Sequence, residues 1–364
     1  MADLYARSEA PQVPAVMDSR QAFLPNGYRL LSPRTRQEYQ IIRTLNNGGF
    51  GITYEGTATA TGMRVAIKEL FPAGVVMRNP DYTVADIGQE GVFEKMSSSF
   101  LKEANVLASL RDISSVVDIY DYFSANNTAY YVMEYISGSN LLDVIRRQGP
   151  LNVQEYQPRF RQLMRDIESF HNRGVIHRDI SPDNIMLTSD GRFIMIDFGS
   201  ARKYNSGQNL TINVKQNFAP IEQYNESGQG TFTDVYALAA TMYYCYTGKA
   251  ISSALSRLRR DDLLSPVMFG AKLNPAQEQA LFKALAVRPE NRFQTMQEFE
   301  DAYFQNEPGP NPQDLPIHDD RPAQISGSLQ EAILKSWNNL IEEPVLPILS
   351  GAFLLAALIA QLFL

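Results

Sequence analysis

The run His177-Arg178-Asp179-Ile180-Ser181-Pro182-Asp183-Asn184-Ile185-Met186-Leu187, followed by Phe193-Ile194-Met195-Ile196-Asp197-Phe198-Gly199, decides the reading of this chain. Its two apolar stretches read as short buried strands, so Asn184 and Asp197 flank one small hairpin. Asp179 lies just upstream. One carboxylate to meet a hydroxyl, with an amide and a second carboxylate to hold a divalent cation against a triphosphate, is the set that phosphoryl transfer from ATP needs.

Upstream, Asn46-Asn47-Gly48-Gly49-Phe50-Gly51 separates two strand-like segments, Tyr39-Gln40-Ile41-Ile42 and Ile52-Thr53-Tyr54. Glycines at such a loop let backbone N–H groups approach phosphate oxygens with no Cβ in the way. Val65-Ala66-Ile67-Lys68 comes next, and Glu103 falls on the helical pattern Phe100, Leu101, Ala104, Leu107, Ala108. Downstream stand Ala219-Pro220-Ile221-Glu222, Thr233-Asp234-Val235-Tyr236-Ala237-Leu238 and Arg288-Pro289-Glu290-Asn291-Arg292-Phe293. In this order, over residues 39–304, the motifs resemble the protein kinase family, and their wording is closest to its bacterial, eukaryotic-like Ser/Thr members.

The resemblance implies an α+β, two-lobed protein kinase fold. A small β-rich N-lobe (38–129) would lead through a hinge at Met133-Glu134-Tyr135-Ile136 into a larger helical C-lobe (137–304). It implies ATP and Mg²⁺ or Mn²⁺ as cofactors and protein hydroxyls as substrates. Lys68 would hold the α- and β-phosphates with Glu103 as its partner, and Gly48, Gly49 and Gly51 would cover them. Backbone groups near Glu134 and Ile136 would meet adenine, sandwiched between Ala66 and Met186. Asn184 and Asp197 would bind the metal, and Asp179 would orient a substrate hydroxyl and accept its proton. Leu107, Ile119, His177 and Phe198 would stack into the column of an active arrangement, which makes His177 structural. Glu222 would pair with Arg292. Arg178, next to the base, implies a phosphate on the activation loop at Ser206 or Thr211, with Thr211 preferred; the alternative is a loop ordered without one.

Three positions depart from the family pattern. Asn46 replaces the first glycine, and asparagine tolerates left-handed backbone. Thr53 replaces the valine over adenine. Ser181 stands where Ser/Thr kinases carry the lysine that neutralises the transferring γ-phosphate, and serine offers only a neutral hydrogen bond. Asp183 is not the arginine that tyrosine kinases use, which leaves Lys203 or Lys215 to supply the charge. The main expectation is a Ser/Thr protein kinase that phosphorylates proteins and itself, in trans between two copies. Its alternatives are a pseudokinase scaffold that binds ATP, and a small-molecule kinase of the aminoglycoside or choline type, a group lacking the Ala219–Glu222 segment and its arginine.

With 364 residues, 44% of them hydrophobic, the chain can bury a substantial core and exceeds one simple domain. Its one cysteine, Cys245, excludes an internal disulfide framework and reads as core filler; three histidines add no zinc spacing. A net charge of −7 speaks against nucleic acid as a partner. The basic cluster Arg257-Leu258-Arg259-Arg260 is followed at once by Asp261-Asp262 and reads as a solvated helix end. His171 reads as helix-end surface.

Residues 1–37, with Pro11, Pro14, Pro25 and Pro33, read as a flexible arm without a signal peptide. The turn-rich segment 73–98 reads as a loop excursion, either a tolerated surface insertion or a control on the helix that bears Glu103. Beyond Phe304 come a Pro-rich linker (305–327) and an amphipathic juxtamembrane helix (328–343) with Leu329, Ile333, Trp337, Leu340 and Ile341 at helical spacing. Val345 to Leu364 carries no charge, and as a helix it would span roughly 30 Å, the thickness of a bilayer core. It is expected to be a C-terminal transmembrane anchor that keeps the kinase domain on the cytoplasmic face of the membrane.

Overall fold

Strand side chains alternate between faces, and in the first half of this chain both faces are buried. Val65, Ile67, Tyr130 and Val132 point into one apolar cluster with Ile41, Ile52 and Tyr54; Ala66, Leu70, Tyr131 and Met133 point into another with Phe100, Ala104 and Leu107. The structure is a computed structural model that describes residues 22–199, 202–203 by backbone alone, 215–224 and 228–305. Six antiparallel strands carry this pattern: β1 (Arg29–Leu31), β2 (Glu38–Gly48), β3 (Gly51–Ala58), β4 (Met63–Leu70), β7 (Ile119–Ala125) and β8 (Thr128–Glu134), in the order β1-β2-β3-β4-β8-β7. Between β4 and β7 lie a hairpin of β5 (Val76–Arg78) and β6 (Val84–Asp86) and the helix α1 (Val92–Ala108). Phe100, Ala104 and Leu107 form the buried stripe of α1, which packs on the sheet face that also bears Lys68.

Three boundaries differ from the sequence reading. β1 pairs with β2 inside the stretch assigned to a flexible arm, and Leu24 and Leu30 are buried in the core; a three-residue strand between prolines leaves no periodicity to detect. β8 continues to Glu134, so the small-lobe sheet reaches the hinge rather than stopping near Ala129. The 73–98 segment is no plain loop: it contains the β5–β6 hairpin and the first turns of α1, and its Arg78 is buried.

The second half is mainly helical. β9 (Gly138–Asn140) leads into α2 (Leu141–Gln148) and α3 (Val153–His171), whose N-caps Asn140 and Asn152 accept backbone N–H groups of Asp143 and Glu155. β10 (Val175–Ile176), β11 (Ile185–Thr188), β12 (Phe193–Met195) and β13 (Arg202–Lys203) follow. β11 lies between β12 and β9, and β10 pairs with β13. α4 (Thr231–Thr247) is buried on nearly every side, as a central core helix must be. α5 (Ala254–Arg259), α6 (Pro275–Ala284) and α7 (Met296–Tyr303) complete the lobe.

The two halves meet at the segment after α1: Met195 N–H donates to Ser115 O and Val117 N–H to Met195 O. Among the described residues no helix is long and apolar enough to cross a membrane. Residues 1–21, the rest of the Pro-rich linker beyond Gln305, the amphipathic stretch and Val345 to Leu364 lie outside the described residues.

Candidate active site

Period-two alternation along β4 turns Lys68 toward α1, and Glu103 lies on the α1 face turned to the sheet. Lys68 Nζ stands 3.4 Å from Glu103 Oε1 and 3.0 Å from Asp197 Oδ1. Tyr131, on the neighbouring strand β8, donates its hydroxyl to the same Glu103 oxygen at 3.0 Å. Burial alone would lower the Lys68 ammonium, but Asp197 and Glu103 hold its pKa well above the ordinary lysine value. Burial would likewise raise the Asp197 carboxyl, which Lys68 and the Gly199 N–H hold below the usual range.

Over this pair folds the β2–β3 turn. Gly48 pairs with Gly51, and a Cβ at Gly51 would lie 2.3 Å from Glu69 O, so only glycine fits where the loop crosses β4. Around Gly49 a Cβ would meet nothing within 4 Å, which leaves the tip open for a bulky anion. The tip is held from below, because Gly49 O and Phe50 O accept N–H groups from Ala73 and Phe71. Ala66 and Met186 both belong to the large core cluster, the first fully within it and the second packed against it with Ile136. At the hinge, Glu134 N–H donates to Asp118 O at 2.9 Å.

The catalytic loop is held from α4. Asp234, fully buried, accepts N–H groups from His177 at 2.8 Å and Arg178 at 2.7 Å, and pairs with His171 Nε2 at 2.8 Å. Those bonds fix Arg178 at φ 66°, a left-handed conformation that a non-glycine residue adopts only when its surroundings impose it. Arg178 also reaches Gln229 Oε1 at 3.2 Å, and its carbonyl accepts from Gln223. Asn184 Nδ2 donates to Asp179 Oδ2 and to Asp179 O, both at 2.9 Å. That orientation makes Oδ1 the Asn184 atom a cation would meet.

With Asp197, Asn184 Oδ1 gives two hard oxygen donors, the sparse protein set that suits Mg²⁺ or Mn²⁺ sharing its remaining positions with phosphates and water. Among the described residues no cluster of three or more His, Cys, Asp or Glu side chains could hold a metal by itself. Burial, together with the charges of Asp197 and Asp183, pushes Asp179 up to about 6 against the opposing pull of Lys215 and Asn184.

His177 and Phe198 lie with ring centroids 4.3 Å apart, both buried with Leu107, while Ile119 packs against the same cluster. Glu222 and Arg292 form a buried two-pronged pair at 2.7 and 3.0 Å, to which Thr233 adds a hydroxyl. Lys215 Nζ reaches the catalytic loop, and Lys203 contributes backbone to β13. Ser206 and Thr211 lie outside the described residues.

Two features escaped the sequence reading. His171 is buried against Asp234, not on the surface; it falls on the α3 stripe Phe160, Leu163, Met164, Ile167, Phe170, and that spacing was the signal available. Tyr131 gives no such signal, since a tyrosine in an apolar strand reads as core.

Comparison with known proteins agrees with this arrangement. The protein kinase domain model matches residues 39–304, so the chain belongs to the protein kinase family. It is 28% identical over 277 residues to serine/threonine-protein kinase PknA of Nostoc sp., covering 72% of this chain and 46% of the relative. With serine/threonine-protein kinase D of Synechocystis sp. it shares 30% identity over 268 residues, covering 70% and 49% respectively. The chain thus spans about half the length of these curated relatives. The solved structure "PpkA-294 apo form" superimposes with a TM-score of 0.67 at 30% identity, covering 78% of this chain and 99% of that one.

Proposed function

We propose that the chain is an ATP-dependent Ser/Thr protein kinase that phosphorylates protein hydroxyls, its own among them. The observation that carries this reading is that Lys68 pairs with both Glu103 and Asp197 while Asp179 is bonded to Asn184. Lys68, steadied by Glu103, would hold the α- and β-phosphates. Asn184 and Asp197 would hold Mg²⁺ or Mn²⁺, which supplies neutralising charge to the phosphate oxygens.

Asp179 orients the incoming Ser or Thr hydroxyl and takes its proton. A carboxyl raised to about 6 is a better proton acceptor than an ordinary aspartate while still mostly ionised at neutral pH. The hydroxyl oxygen bonds to the γ-phosphorus, the bond from that phosphorus to the bridging oxygen breaks, and its electron pair leaves with ADP. The reading extends to two features outside the described residues: phosphorylation of Thr211 to engage Arg178, and membrane anchoring through Val345 to Leu364.

Purified full-length chain with labelled ATP and Mg²⁺ tests the proposal. Label is expected on serine and threonine of the chain or of an added protein, and Asp179→Ala should lower its rate by about 10²–10⁴-fold. Equal labelling by wild type and Asp179→Ala would remove the reading.

A further inference from the structure

Ser181 is buried and neutral where the transferring phosphate calls for a cation, and the structure brings one to it from another part of the chain. Lys215 Nζ lies 2.8 Å from Ser181 Oγ, 3.3 Å from Asp179 Oδ1 and 2.9 Å from Asp183 Oδ2. Three oxygens of the loop 179–183 thus surround an ammonium that carries three protons. We propose that Lys215 is a catalytic residue, which delivers to the γ-phosphate the positive charge that Ser181 lacks. The proposal rests on the kinase reading above and deepens it.

A hydroxyl about to react lies about 2.6–3.2 Å from its base, and the phosphorus it attacks about 3–3.5 Å beyond. Nζ already forms an ion pair with that base at 3.3 Å. A four-carbon stem lets the ammonium swing from Asp179 onto a phosphate oxygen without backbone movement. Its side chain is about one-third exposed, so it is neither locked in the core nor wholly solvated.

Lys215 O accepts the N–H groups of Phe218 and Ala219, which closes a turn. That turn is tied to the body of the lobe by Asn217 Nδ2 to Ile251 O, and the 3-10 turn that follows it, Ile221–Tyr224, is tied to the catalytic loop by Gln223 Nε2 to Arg178 O, both at 2.6 Å. An incidental surface pair between Lys215 and Asp183 would need none of this support. The consequence is regulatory: the catalytic cation sits on the segment leading into Ala219-Pro220-Ile221-Glu222. Docking of that segment therefore assembles the charge of the site as well as its substrate face.

The test uses the full-length chain with labelled ATP, Mg²⁺ and casein, comparing wild type, Lys215→Ala and the exchange variant Ser181→Lys/Lys215→Ser. The ATP-dependent rise in melting temperature is measured alongside to report folding and nucleotide binding. Lys215→Ala should lower kcat by about 10²-fold with the ATP-dependent rise retained. The exchange variant should regain at least about tenfold of that loss, because it returns an ammonium to the same place from the other side. If wild type itself transfers no label, the kinase reading fails before Lys215 is at issue. If wild type is active and Lys215→Ala keeps a similar kcat, the role assigned to Lys215 is wrong and the kinase reading stands. Loss of the ATP-dependent rise in Lys215→Ala, or an exchange variant no faster than it, would also overturn the proposal, since either result makes Lys215 a structural support and not a movable charge.

Discussion

His177 shows how a single buried ring sets a condition on the whole site. Its Nδ1 accepts the Asp179 N–H at 3.3 Å, its backbone N–H is held by Asp234, and its ring packs on Phe198. Burial pushes its pKa down to about 4 from 6.5, so the imidazole stays neutral across the physiological range. The unfolded chain takes up a proton near pH 6.5 that the folded chain refuses until about pH 4. Stability from this group is therefore complete above pH 6.5 and is lost as pH falls toward 4, by up to ~3 kcal/mol. Denaturant unfolding at pH 7 and pH 5 measures it: the wild type should lose about 2 kcal/mol more between the two than His177→Phe does. Equal losses would show that His177 titrates in the folded state as it does in water.

At the scale of elements, the β5–β6 hairpin has the clearest structural role beyond the site. Arg78, its last β5 residue, makes a two-pronged pair with Glu69 at 2.6 and 2.8 Å, and both side chains are almost wholly buried. Tyr54 and Tyr130 donate their hydroxyls to the same carboxylate, and Arg78 Nε reaches Ala22 O. Glu69 follows Lys68 on β4 and faces the opposite side, so this network braces the back of the strand whose front holds Lys68. Arg78→Ala strands a buried carboxylate and should cost about 3–5 kcal/mol, whereas Arg78→Met with Glu69→Gln should recover part of that loss. Chemical denaturation checks both; an Arg78→Ala cost below about 1 kcal/mol would return the hairpin to the status of a tolerated insertion.

The hairpin also marks where sequence reasoning stops. Lys68, Glu103, Asp179, Asn184 and Asp197 could be picked out as candidates because each sits in a short motif or a helical pattern of recognisable spacing. Glu69 and Arg78 obey no such spacing: their pairing depends on how a turn-rich segment folds back over a sheet, and charged residues in such a segment read as solvated. β1 was hidden for the same reason, since tertiary contacts and not local periodicity create it, whereas the burial of His171 follows the helical stripe it lies on. Lys215 was visible only as one of two lysines in the right interval, and its approach to Ser181 at 2.8 Å is what the structure adds.

For the whole molecule, the site is shared between two halves that one apolar cluster joins. Lys68 and Glu103 belong to the sheet and α1, Asp179, Asn184 and Lys215 to the helical half, and Asp197 bonds across to Lys68. Backbone bonds from Ser115 and Val117 to Met195 tie the segment after α1 to the strand that leads into Asp197. The residues proposed for the chemistry lie between Gly48 and Arg292, and the proposed anchor, the charge-free stretch from Val345 to Leu364, lies outside them. A charge-free and mostly apolar stretch costs little in a bilayer and much in water, where each fully exposed Leu, Ile or Phe forgoes about 1.5–3 kcal/mol. The full chain expressed in bacterial cells should therefore sediment with membranes and resist an alkaline carbonate wash. The chain ending at Pro344 should move to the soluble fraction and keep the same kcat on casein as detergent-solubilised full-length enzyme. A full-length chain found in the soluble fraction, or a truncated one that stays with the membrane, would rule out the anchor; a truncated enzyme that loses activity would mean that the tail takes part in the fold of the kinase instead.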